Sequence, residues 1–145
     1  MNTQKDLSKN THNREVSTKS DYNISNYYNV PDIGLYKKFT ERIGKLVTAL
    51  YMVTDLLEKQ DPMRKFVRSE ISHGMNLLFK ILSSSKTDSI KIFSQVDICL
   101  FEVSSYLEVM HHNRFISEMN YSYIIKEVKS LGNDISNELQ RLVIR

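Results

Sequence analysis

From Leu35 to its end the chain repeats apolar residues at helical spacing, in four blocks separated by short polar breaks. The first block reads Leu35, Phe39, Ile43, Leu46, Leu50, Val53, Leu57, in steps of 4, 4, 3, 4, 3 and 4. Such steps keep one face of an α-helix apolar. A single helix has nowhere to bury that stripe, whereas four can bury each other's. The chain has only 4 Gly and 2 Pro, and so few breakers favour helices over a turn-rich β fold.

The first helix is expected from about Pro31 or Gly34 to Lys59. Asp61-Pro62 then marks a break, with Asp as N-cap and Pro at the first helical position. The second helix runs from Pro62 to about Ser84, with Met63, Val67, Ile71, Leu78, Ile81 and Leu82 inward. Gly74 falls within that face, where it costs about 1 kcal/mol relative to Ala and lets a neighbouring helix approach closely. The third helix covers about Ser89 to Met110, capped by Thr87 or Asp88. Its core stripe is Ile92, Val96, Cys99, Val103, Tyr106 and Met110, flanked by Phe93, Leu100 and Leu107. Ser117 caps the fourth helix, whose stripe is Tyr121, Ile124, Val128, Leu131, Ile135, Leu139 and Leu142. Short connections force alternating directions. The expected fold is therefore all-α: an antiparallel up-down-up-down four-helix bundle over residues 31–145.

Residues 1–30 are rich in Asn, Ser, Thr and Lys and show no periodicity, so they are expected to form a disordered N-terminal arm. Tyr22, Tyr27, Tyr28 and Val30, just before Pro31, are the exception and can dock on the bundle or on a neighbour. The net charge is +3, a mild basic balance that permits an anionic partner without demanding one. A lone cysteine, Cys99, fits a reducing cytoplasm. No apolar run approaches the roughly 20 residues that span a bilayer, and the polar N-terminus has no signal-peptide pattern. A cytoplasmic protein without a membrane role is the expectation.

The third helix carries a second row on its far side: Ile98, Phe101, Ser105 and Val109. A bundle helix needs one apolar stripe, so this row implies a second partner surface and homo-oligomerisation. Scattered surface hydrophobes are the plainer alternative.

No residue pattern reaches a catalytic signature. Two Glu-x-x-His pairs, Glu70…His73 and Glu108…His111, resemble the ligand pattern of di-iron bundles. At 100° per residue, Glu70 lies about 50° and Glu108 about 130° from the apolar faces of their helices. No acidic residue interrupts the inner stripes of the first and fourth helices with the right phase, so no metal is expected. His111 and His112 are accounted for by the dipole at a helix C-terminus, and Cys99 by packing. There is no Ser-His-Asp arrangement, Gly-rich phosphate loop or Cys/His metal spacing. The chain is expected not to be an enzyme and to need no cofactor.

The basic residues are more informative. Lys38, Arg42 and Lys45 line one flank of the first helix. Arg64, Lys65 and Arg68 crowd the start of the second, with Lys59 just before it. Positive charge there opposes that helix's dipole and suits phosphate contact. The two groups fall towards opposite ends of an antiparallel pair, so one continuous patch needs an oligomer. An ordinary solvated face, with Glu41 pairing Lys45, is the alternative.

Leu50-Tyr51-Met52-Val53-Thr54, the Asp61-Pro62-Met63-Arg64 break with Arg68 following, and the closing helix from Ile124 to Leu142 carry a further signal. Together they resemble a family of small bacterial four-helix bundles. It includes the accessory variability determinant (Avd-like) proteins of diversity-generating retroelements and the proteins encoded in 23S ribosomal RNA intervening sequences. The resemblance covers roughly residues 34–143. It implies a homo-oligomer, a pentamer in that family, with basic surfaces that bind a reverse transcriptase and its template RNA. The positions that would serve here are Lys38, Arg42, Lys45, Arg64, Lys65 and Arg68. The expected function is thus a non-catalytic, nucleic-acid-associated accessory protein. A structural or protein-interaction bundle of the intervening-sequence type, without a direct nucleic-acid role, is the second reading.

Overall fold

The computed structural model describes residues 33–144. The expected arm and its tyrosine cluster lie outside the described residues. The described elements are all helical: α1 (Ile33–Thr54), α2 (Pro62–Phe79), α3 (Lys86–His112) and α4 (Glu118–Ile144), with one 3₁₀ turn at Ile81–Ser83. They form the expected four-helix bundle. α2 packs between α1 and α3, and α3 packs on α4; α1 and α4 meet least closely.

The core follows the stripes. Phe39, Ile43, Leu50, Ile71, Leu78, Phe93, Leu107, Leu131 and Ile135 are all essentially excluded from water. Phe39 and Phe93 meet edge to face, with ring centroids 6.0 Å apart. The inner row of α3 is Phe93, Val96, Leu100, Val103, Leu107 and Met110, together with Cys99. Ile92 and Tyr106, expected at its centre, are half-buried at its edge. Phe93 and Leu107 take the deep positions.

Three boundaries differ from expectation, each for a local reason. α1 ends at Thr54, before Lys59. The buried Thr54 hydroxyl donates to the Leu50 carbonyl at 2.6 Å, and a tight turn carries the chain to Leu57, which is buried. α2 ends at Phe79, and the following 3₁₀ turn keeps Ile81 buried while Leu82, expected inward, is exposed. α3 begins earlier than expected, because Ser85 caps it by accepting from the Asp88 amide at 3.2 Å. Thr87 and Asp88 therefore lie inside its first turn. A Ser-x-x-Asp arrangement suits this role, since the hydroxyl takes an orphan amide while the carboxylate favours the helix dipole. Asp61 caps α2 as expected, accepting from the Met63 amide at 2.9 Å. Ser117 accepts from the Asn120 amide at 3.1 Å, which opens α4.

On α4 the inward position near the C-terminus belongs to Glu138, which is 5% exposed; Leu139 is half-buried beside it. An acidic residue therefore does interrupt an inner stripe, contrary to expectation. Its charge is met by Arg141, one turn on, whose Nε donates to Glu138 Oε2 at 3.0 Å.

Candidate nucleic-acid interface

The turn from α1 to α2 brings together two helix ends of opposite polarity. The C-terminus of α1 exposes carbonyls that its own turns cannot satisfy, and these form the negative end of its dipole. Arg64 and Arg68, one turn apart on α2, reach back to this end of α1 and to the turn that follows it. Arg68 Nη2 donates to the Tyr51 carbonyl at 3.1 Å, and its Nε donates to Thr54 Oγ1 at 2.9 Å. Arg64 Nη1 donates to the Leu57 carbonyl at 3.2 Å. Both guanidiniums share Asp55 Oδ1, at 3.0 Å from Arg64 and 2.7 Å from Arg68. Arg68 also lies over the Tyr51 ring, 4.5 Å from its centroid. Positive charge that opposes the dipole of α2 thus complements that of α1.

Around this clasp the surface forms an open recess of about 500 Å³, lined by Tyr51, Lys59, Arg64, Lys65, Arg68, Ser69 and Ser72. Four cations surround it, and Asp55 offsets one of them. Lys59 and Lys65 are exposed at the rim. Tyr51 is 41% exposed, so part of its ring faces solvent. The arrangement can hold an anion between fixed guanidiniums and mobile ammoniums, with hydroxyl donors on one wall.

The six expected contact residues do not share one face. Arg64, Lys65 and Arg68 meet in the recess, joined by Lys59. Arg42 and Lys45 line a different concavity between α1 and α4, of about 750 Å³. Arg42 is held there by an ion pair to Asp134 and donates to Ser130 Oγ at 3.0 Å. Lys38 is exposed on α1 and lines neither concavity. The contribution of Asp55 and Tyr51 was not legible in the sequence. The signal that could have exposed it is the Tyr51–Asp55 spacing at the end of α1, facing an i, i+4 arginine pair across the turn.

The outer row of α3 is largely solvent-facing. Ile98 is 57%, Phe101 72% and Val109 42% exposed, while Ser105 is half-buried and donates to the Phe101 carbonyl at 3.1 Å. Phe101 borders a groove shared with α4, where Gly132 leaves the wall thin.

The other candidates are occupied by local structure. His111 pairs with Glu118 and stacks on Tyr121, with centroids 3.9 Å apart and planes within 6°. Cys99 is buried, and desolvation, aided by the nearby Glu70 carboxylate, pushes its thiol up to about 12. A hydrogen bond with Glu70 raises the Glu102 carboxyl above the usual carboxylate range. Glu70 is half-buried, whereas Glu108 and His73 are exposed. Among the described residues, no group of three or more His, Cys, Asp or Glu side chains is placed to hold a metal ion, and no helix is long and apolar enough to cross a membrane.

Comparison of the chain with protein-family models, curated proteins and solved structures gives no match.

Proposed function

We propose that this chain is a non-catalytic, oligomeric, cytoplasmic accessory protein of the Avd-like class that binds nucleic acid at the α1–α2 corner. The observation that carries the reading is the recess itself: Lys59, Arg64, Lys65 and Arg68 converge on one concavity beside a partly exposed tyrosine. Arg64 and Arg68 are already fixed by Asp55, so they lose little freedom on meeting a phosphate. Lys59 and Lys65 supply the mobile charges that neutralise the backbone. The open part of the Tyr51 ring offers a stacking face, which suits a single strand better than a closed duplex. Ser69 and Ser72 can donate to phosphate oxygens. The reverse transcriptase and its template RNA are the partners that the resemblance implies. The outer row of α3 is the surface proposed to join copies of the chain.

The second reading, a protein-interaction bundle without nucleic acid, draws on the same clasp. Arg64 and Arg68 have structural work to do whether or not RNA binds. Two measurements separate the readings. In fluorescence anisotropy with a labelled single-stranded RNA, Lys59→Gln/Lys65→Gln should bind more weakly and lower the salt slope by about 1.4, or 0.7 per lost single-strand contact. Equal affinity would leave only the interaction reading. In sedimentation, Ile98→Lys/Phe101→Lys should reduce the assembly towards the 17.0 kDa chain with unchanged helicity. A wild-type protein that already sediments as a single chain would end the oligomer proposal.

A further inference from the structure

The α1–α4 seam is the loosest in the bundle. Along it runs the concavity of about 750 Å³. Its floor includes the buried Leu46 and Ile124, and its walls include Met52 and Tyr123, which are 68% and 67% exposed. Over Gly44 none of the described residues lies within 4 Å of where a Cβ would project. Glu41, Lys45 and Glu127 border it, so its rim carries both signs of charge. The Arg42–Asp134 ion pair joins the two helices towards the start of α1.

The sequence before Ile33 matches this groove in chemistry and in length. Residues 1–21 contain seven charged side chains, whereas residues 22–30 contain none. That neutral stretch holds Tyr22, Ile24, Tyr27, Tyr28 and Val30, interspersed with Asn23, Asn26 and Asn29. Its apolar side chains suit the floor, and its amides and phenols can hydrogen-bond to a rim of mixed charge without meeting like charge. Pro31-Asp32 is turn chemistry: Pro presets the backbone of a second turn position, and Asp favours the next. A reversal there would send the chain back along α1, with Val30 level with Ile33. At 1.5 Å per helical residue, Gly44 lies about 16 Å and Met52 about 28 Å along α1 from Ile33. At roughly 3.3 Å per extended residue counted from Val30, Ile24 would lie about 20 Å and Tyr22 about 26 Å along the same direction. Ile24 would thus fall just beyond the bare glycine, and Tyr22 beside the exposed methionine.

We propose that residues 22–30 of the chain's own N-terminal segment dock in the α1–α4 groove, antiparallel to α1, with Ile24 beside Gly44 and Tyr22 against Met52 and Tyr123. The groove and the recess lie on different faces of α1, so this docking is independent of the nucleic-acid reading.

The test uses the full chain, isotope-labelled for NMR. A spin label is attached at Thr48→Cys in the groove, at Lys126→Cys on the neighbouring face of α4, or at His73→Cys on α2 as a remote control. Cys99 is buried and does not compete for the label. Either of the first two labels should remove more than half the amide intensity of residues 22–30, while the His73 label leaves it unchanged. Tyr22→Ser/Ile24→Ser should restore the lost intensity. Full intensity with both the Thr48 and Lys126 labels would overturn the proposal. So would loss that persists when isotope-labelled chains without a spin label are mixed with separate spin-labelled chains, because the segment would then sit on a neighbour.

Discussion

Where α2 passes between α1 and α3, a Cβ on Gly74 would meet Ile43 Cδ1 at 3.4 Å and Cys99 Cβ at 3.5 Å. Where α1 passes α4, a Cβ on Gly44 would meet none of the described residues within 4 Å. Both glycines lie within helices at similar cost to helix stability, yet one marks a closed seam and the other an open one. On the closed side, apolar groups from three helices interlock. On the open side, an exposed ion pair joins the helices, and Met52 and Tyr123 are largely exposed among the described residues. A bundle closed equally on all sides would be a finished unit. Among the described residues this one is open along the α1–α4 seam.

Substitutions on the two sides should therefore differ most in size. Ile43→Ala, at a fully buried position, should cost about 2–5 kcal/mol by urea denaturation, whereas Met52→Ala, in the Tyr22→Ser/Ile24→Ser chain, should change stability by less than about 0.5 kcal/mol. Comparable losses at both would show that the open seam is as tightly packed as the closed one. Gly74→Leu should overpack its junction and cost about 1–3 kcal/mol. In a Tyr22→Ser/Ile24→Ser chain, whose groove is left open, Gly44→Ala should instead gain up to about 1 kcal/mol in thermal melts, since an added methyl meets no described neighbour. Arg42→Ala breaks an ion pair whose side chains are 26% and 48% exposed. It should cost no more than about 1 kcal/mol, and less in high salt.

Cys99 adds a difference that appears only at high pH. Its proton is held more tightly in the folded state, with the thiol raised from 9.0 to about 12. The associated stability is fully present below pH 9.0 and is lost as pH rises towards about 12. Urea melts of wild type and Cys99→Ala should therefore converge over that window. At neutral pH a thiol reagent should modify wild type only after unfolding.

Periodicity made the bundle legible because burying an apolar stripe is the strongest demand that each segment makes. It could not resolve helix ends. Those depend on individual hydroxyls, as with Thr54 turning back on Leu50 and Ser85 reaching the Asp88 amide. Glu138 escaped notice because a carboxylate on an inner face is tolerable only with its Arg141 partner in place. The basic cluster of α2 was visible as charge, but not as a cap on α1. That role depends on Tyr51, Asp55 and Arg68 meeting across a turn, which no single helix pattern records. The same turn divides the six expected cationic residues between two faces.

The central claim is that the α1–α2 recess meets a nucleic-acid backbone, and the salt dependence of wild-type binding tests it most directly. Four recess cations less Asp55 leave about three phosphate contacts. The logarithm of affinity for a single-stranded RNA should then fall against the logarithm of salt with a slope of about −2, or 0.7 per contact. Binding that is absent at about 50 mM salt, or that does not weaken as salt rises, would contradict the account.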